Sequence, residues 1–385
     1  MQGISEHLLK ARAGYGYIPG LDGVRCLAVA LVMVAHAGYE RLVPGGLGVT
    51  IFFFISGFLI TRLLLAEADA KGRIGLGNFY IRRFLRLLPA LYVMLAVTSA
   101  VLVFVLATPP LFAEVATALT YTANYLFASL QFQDAAAAAG QGLPGVRVAP
   151  WSHLWSLAIE EHFYLLFPLV LMLNLQRPKR MVWICLALCV AALAWRLATL
   201  HILHWPSQYN YVATDTRIDS LVWGCLLSIL LHVSPDGAWR RWLVGAAPVV
   251  LAAILMLGSL MYRDEAFRES FRYTIQGIAL FIGILNLYFW RPVAPVVRVL
   301  ELPLMSWLGR VSYGLYLWHL PVYILTRRIA GDQLSQPAFI LFAVSVTLLA
   351  TSLSYYLIER PIVALRQRFG AHIPRPGAVQ ESANS

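Results

Sequence analysis

Ten stretches of about twenty apolar residues, divided by short charged or turn-forming segments, constrain this chain more than anything else in it. They fall at 22–41, 47–66, 87–107, 154–174, 181–201, 214–232, 242–261, 273–290, 304–325 and 338–358. Each is long enough to cross a hydrocarbon layer of about 30 Å as a helix. Lipid offers the backbone no hydrogen-bond partners, so a spanning segment must satisfy its own N–H and C=O groups. The expected fold is therefore all-α, a polytopic membrane bundle of about ten helices. Composition agrees: 13% of the 385 residues are charged, against about a quarter in soluble domains. A further apolar segment, 113–132, is interrupted by "TYTAN" and reads as an outer-face or re-entrant piece.

The net charge of +11 raises nucleic acid as a partner, but the placement of the charge argues against it. The basic residues lie between apolar stretches, as they do when they fix membrane orientation. With the N-terminus in the cytoplasm, 20 of the 30 Lys and Arg lie at inner segments and inner helix ends. Seven lie outside (Arg41, Arg147, Arg263, Arg268, Arg272, Arg327 and Arg328), and three lie within or at the edge of helices. Both termini are thus expected in the cytoplasm. The first apolar stretch carries Asp22 and Arg25 and is expected to remain as the first helix rather than act as a cleaved leader. One membrane domain, 1–369, and a disordered cytoplasmic tail, 370–385, complete the expected organisation. Cys26, Cys185, Cys189 and Cys225 all lie in apolar stretches and read as packing residues, with no disulfide framework.

Ionisable residues inside a membrane are costly, so each is a functional candidate. His36 lies about 20 Å along the first, outward-running helix, and His319 stands at a similar height on the ninth. Glu160, Glu161, Arg217 and Asp219 fall near the outer ends of inward-running helices, with Ser56 somewhat deeper. Arg25 and His36 are eleven residues apart, about 20° beyond three turns, so they share a face about 16 Å apart. In "NFYIRRFLRLLP", Arg82 and Arg86 are one turn apart beside Arg83, and guanidinium groups suit phosphate. The pattern suggests an anionic cofactor threaded from the cytoplasm. Plainer readings stand beside it: Arg82, Arg83 and Arg86 as topological anchors, Glu160 or Glu161 pairing with Arg217, and His319 as a core histidine. A metal held by His36, His319 and Glu160 is conceivable, though no metal is expected. "GGLGVTIFFFISGF" reads as a close-packing helix face, and Trp151, Trp155, Trp205 and Trp290 as interfacial aromatics.

Across about residues 17 to 361 these segments resemble the acyltransferase-3 family of membrane O-acyltransferases. "YIPGLDGVRCLAVALVMVAH" resembles the family's Arg, ten residues, His signature at Arg25 and His36. "FFFISGFLI", "FYIRRFLRLLPALY", "HLWSLAIEEHFYLLFPL", "TRIDSLVWGCLL", "LGRVSYGLYLWHLPV" and "YYLIERP" follow in order, with His162 where a glutamine is common. The resemblance implies an acyl-CoA donor, usually acetyl-CoA, and a hydroxyl acceptor on a surface glycan or lipid-linked precursor. Some relatives modify macrolides or other small molecules, and some carry a fused esterase-like domain not expected here.

The expected function is therefore acyl transfer at the bacterial inner membrane, with CoA phosphates at Arg82, Arg83 and Arg86 and the arm passing Arg25. His36 is the expected base, oriented by Glu160 or Glu161. Ser56, Arg217, Asp219 and His319 remain substrate or oxyanion candidates, and an acyl-histidine intermediate is the rival route. A transporter using the same polar residues, or a scaffold subunit, are the alternative classes.

Overall fold

The computed structural model describes residues 18–138 and 149–367, and they form an all-helical, integral multi-pass membrane bundle. The expected tail 370–385, and Lys10, Arg12, Arg147 and Arg368 of the basic bias, lie outside the described residues. Among the described residues, seven helices are long and apolar enough to cross a membrane, or eight if a bent pair is one span.

Helix α1, Leu21–Val34, widens into a π turn at Ala35–Tyr39 that ends where Gly38 takes φ of +107°. Helices α2, Gly45–Lys71, and α3, Leu76–Phe104, follow. The third apolar stretch begins eleven residues earlier than hydropathy suggested, because the basic "NFYIRRFLR" segment is itself helical. At 1.5 Å per residue α3 is roughly 44 Å long, more than the hydrocarbon layer requires, so its arginine turns extend towards one membrane surface. The 113–132 segment is two helices, α4, Phe112–Leu119, and α5, Ala123–Ala138, broken at Tyr121, whose φ is +55°.

The later spans are α6, Leu154–Leu173; α7, Pro178–His201; and α9, Thr214–Val233, with the short α8, Gln208–Val212, before α9. Next come α10, Trp239–Leu243; α11, Ala246–Met261, only 16 residues; and α12, Glu265–Arg268. Helix α13, Phe271–Phe289, stops before Pro292, which has no N–H to continue a helix. The chain bends by 87° there into α14, Ala294–Leu300. The ninth apolar stretch is not one helix. It divides at Val311 into α15, Pro303–Arg310, and α16, Ser312–Ala330. Helix α17, Gln336–Ser354, a π turn at Tyr355–Glu359 and α18, Arg360–Gln367, end the described chain.

Small residues set close helix approach, as the glycine-rich pattern of α2 suggested. A Cβ on Gly57 would lie 2.0 Å from the Leu221 carbonyl oxygen of α9, and one on Gly224 would lie 2.0 Å from the Phe54 oxygen. Neither backbone can yield without separating α2 from α9. Gly57→Ala is therefore expected to destabilise the bundle by at least about 1–3 kcal/mol, the usual cost of overpacking. A thermal melt in detergent checks this, and an unaltered melting temperature would show that the helices can part. The four cysteines are buried and unpaired, as their apolar settings implied. Trp151 and Trp155, expected at the interface, are instead 2% and 7% exposed. They close the core between α6 and its neighbours, and the Trp151 indole donates to the Glu114 carbonyl oxygen.

Candidate active site

Two cavities lie along the bundle, and Val49 and Tyr316 line both. The first, about 110 Å³, follows α2 from Val49 to Leu63 and takes Arg25 from α1, Arg83 and Arg86 from α3, and Glu160 and Tyr164 from α6. The second, about 610 Å³, opens at the other end and contains His36, His153, Trp155, Tyr211 and Tyr273. Helix α1 thus carries Arg25 to one cavity and His36 to the other.

The arginine cavity has a marked positive excess. Arg25, Arg83 and Arg86 meet one lining carboxylate, Glu160. Asp22 is 3.8 Å from Arg25, a loose contact within one helical turn. Arg83 lies over the Tyr164 ring at 4.3 Å. Neither Arg83 nor Arg86 has an ion-pair partner among the described residues. Arg82 turns elsewhere, to Glu67 at 3.2 Å. The residue at i−3 from Arg86, not the one at i−4, therefore shares its cavity. Glu160 accepts from Ser56 Oγ at 2.9 Å and from the Tyr164 hydroxyl at 3.3 Å. Glu161 is absent from the lining, and its Oε1 is buried without a hydrogen-bond partner.

His36 and His319 lie 2.9 Å apart, Nδ1 to Nε2, with rings stacked at 5.1 Å. The expected carboxylate partner for His36 is replaced by a histidine, because Glu160 lines the arginine cavity and His36 the other one. The His319 Nδ1 faces the backbone oxygens of Tyr316 at 2.6 Å and Leu315 at 3.2 Å, which can only accept. That nitrogen must carry the proton, so a neutral His319 presents a lone pair at Nε2. His36 Nδ1–H donates to it. The remaining nitrogen of a neutral His36, Nε2, is then an unprotonated lone pair.

Arg217 and Asp219 part company. Two helical residues apart point about 200° from each other, so they cannot face one site. Arg217 donates to Thr50 Oγ1 and to the Tyr211 carbonyl oxygen, each at 3.2 Å, and lies 3.9 Å from the Tyr273 ring centroid. Asp219 takes both ends of the Arg196 guanidinium, at 2.9 and 2.8 Å, with both side chains at 0% exposure. His162 bonds Thr214 Oγ1 at 2.7 Å.

Tyr316 and His153 had escaped sequence reasoning. The Tyr316 hydroxyl lies 2.5 Å from Ser156 Oγ and donates to the His153 carbonyl oxygen at 3.1 Å. Its signal was the i, i+3 spacing with Tyr313 and His319, which puts all three on one helix face. His153 meets His319 edge to face at 5.2 Å. No cluster of three or more metal-ligating side chains with metal-site geometry occurs among the described residues.

Fold and site together define a helical membrane protein with an arginine-rich cavity beside a histidine-bearing one, Val49 and Tyr316 lining both. The profile described as an acyltransferase domain matches residues 18–359, and the chain belongs to this acyltransferase-3 family. It is 31% identical over 365 residues to the peptidoglycan O-acetyltransferase of Listeria monocytogenes, covering 90% of this chain and 56% of that protein. It is 32% identical over 377 residues to a Bacillus subtilis protein provisionally named as a peptidoglycan O-acetyltransferase, covering 90% and 55%. The chain thus spans little more than half the length of these relatives. No solved structure gives a significant match.

Proposed function

We propose that the chain transfers an acetyl group from cytoplasmic acetyl-CoA to a hydroxyl of an envelope glycan at the outer face of a bacterial inner membrane. The observation that carries this reading is that Val49 and Tyr316 line both cavities, with arginines lacking an ion-pair partner among the described residues in one and His36 in the other. The similarity to peptidoglycan O-acetyltransferases supports the glycan acceptor. In this reading α11, α13 and α16 cross beside the seven long helices, and ten crossings, an even number, keep both ends of the chain on one side, which the arginine bias makes the cytoplasm.

In this reading the CoA phosphates bind Arg83 and Arg86 at the inner mouth, and Arg25 lines the way to Tyr316. The acceptor hydroxyl enters from the histidine cavity. Its oxygen attacks the thioester carbonyl carbon, the new C–O bond forms, and the C–S bond breaks to release thiolate. His36 Nε2 takes the hydroxyl proton, which finally passes to the thiolate. His319 acts by position, holding His36 in the tautomer with Nε2 free. Glu160, fixed by Ser56 and Tyr164, offsets the positive charge beside the arm.

The test is reconstitution in liposomes with acetyl-CoA and a soluble glycan. Release of free thiol, with glycan mass rising by one acetyl group, is expected. A transporter would release no thiol. Arginine-to-lysine changes examine the donor end, because lysine keeps the charge but lacks the planar fork. Arg83→Lys and Arg86→Lys are each expected to raise the acetyl-CoA KM roughly tenfold to a hundredfold, from loss of about 1.5–3 kcal/mol. Arg82→Lys, at a residue paired with Glu67, is expected to shift it far less. Equal effects at all three would remove the cavity from donor binding.

A further inference from the structure

The histidine cavity carries a charge pattern that acyl transfer to a neutral sugar does not require. Its lining includes Arg41, Arg263, Arg268 and Arg272, against Glu40 and Glu269. Arg272 and Glu269 satisfy each other at 3.1 Å, and Glu269 also accepts from the Tyr273 hydroxyl. Three guanidinium groups and one carboxylate remain, an excess of two positive charges. Arg41, Arg263 and Arg268 are exposed, and none has an ion-pair partner among the described residues.

The two acids between Arg263 and Arg268 are committed to other partners. Asp264 accepts from the Phe267 backbone N–H at 2.8 Å and so caps the short α12. Glu265 accepts from Ser207 Oγ at 2.5 Å. The segment thus turns its carboxylates into its own structure and leaves its arginines to the cavity. Two separate loops bring them together: an Arg263 nitrogen lies 3.4 Å from the Arg41 carbonyl oxygen, across the mouth from α1 to the end of α11. In the orientation proposed above this is the outer face, where the positive-inside bias disfavours arginine. Of the seven outer arginines, four nevertheless line this one cavity.

We propose that the acceptor is acidic, and that Arg41, Arg263 and Arg268 hold its carboxylate or phosphate while a hydroxyl reaches His36. This inference rests on the acyl-transfer reading and names the acceptor class. Guanidinium groups pair with either oxyanion through two hydrogen bonds. Tyr211, half-buried in the same cavity, offers an aromatic edge for a sugar ring, backed by the buried Trp155 and Tyr273. The arrangement sorts acceptors by charge at the mouth, before the hydroxyl meets the thioester.

The test uses the full-length protein in nanodiscs and three soluble probes. One is a tetrasaccharide of N-acetylglucosamine and N-acetylmuramic acid with free carboxylates. The second is a glycerol phosphate oligomer, and the third is neutral tetra-N-acetylchitotetraose. Direct binding is measured by calorimetry without donor, at low and at high salt, and transfer is then measured with acetyl-CoA. An acidic probe is expected to bind the wild type at least about tenfold more tightly than the neutral one, with the difference shrinking in salt. Whether the carboxylate or the phosphate probe prevails identifies the oxyanion. Arg41→Gln, Arg263→Gln and Arg268→Gln are each expected to lower the acidic-to-neutral ratio, and the triple variant to bring it near one. Arg→Lys changes should retain most of the salt dependence and so exclude simple misfolding. Binding with this pattern but no transfer to any probe would sustain the acidic site and count against the acyl-transfer reading. Equal wild-type affinity for acidic and neutral probes, or an unaltered ratio in the triple variant, would overturn the inference.

Discussion

His36→Ala is expected to lower acetyl transfer by on the order of 10²–10⁴, the usual share of a positioned general base, while the variant inserts and melts as the wild type does. The basis is the hydrogen-bond order. The His319 Nδ1 proton is committed to a backbone oxygen, so its Nε2 accepts from His36 and leaves the His36 Nε2 lone pair free. The donor KM should stay near wild type, because the arginine cavity does not include His36. His319→Ala is expected to cost less, since it removes the orientation of the base and leaves the base itself. Radiolabelled acetyl transfer, with protein levels matched by fluorescence-detected gel filtration, measures both. Turnover within a few-fold of wild type in a well-folded His36→Ala protein would take His36 out of the mechanism.

The second large effect concerns stability. Arg196 and Asp219 form a two-pronged ion pair at zero exposure, and Thr274 Oγ1 donates to Asp219 at 3.0 Å. Removing either partner strands a buried charge, so Arg196→Ala or Asp219→Ala is expected to cost about 3–5 kcal/mol. The double change Arg196→Met with Asp219→Leu should recover much of that, because no unpaired charge then remains. Thermal melts of the two single variants and the double variant measure the coupling. Additive losses would mean the pair is not the unit that holds α7 to α9. A single variant of normal stability that lost only turnover would instead return Asp219 to the site.

Helix existence was legible because crossing lipid demands long apolar runs, and those runs are visible residue by residue. The breaks were less so. Hydropathy does not distinguish one helix over 304–325 from two that meet at Val311, since an average over a window is blind to the backbone of one residue, here at φ −92° and ψ 8°. At the site, helical period alone allowed Arg86 to pair with Arg82 at four residues or Arg83 at three. Glu67 on α2 decided between them by capturing Arg82. The tryptophans Trp151 and Trp155 carried an interface signature and became core, because burial depends on which neighbours close over a ring.

The membrane class, the helical fold, the close packing face of α2 and the set of ionisable residues worth suspecting could all be read along the chain. All of these follow from local composition and from periods of 3.6 residues along one chain segment. Side-chain partners came from the packing of the bundle. It gave His36 a histidine 283 residues away, gave Glu160 to Ser56 and Tyr164, and split Arg217 from Asp219. It also gathered Arg41, Arg263 and Arg268 around one mouth. A hydrogen bond of about 3 Å between helices depends on their rotation and depth. Those are set by side chains packing across the whole bundle, which no single segment encodes.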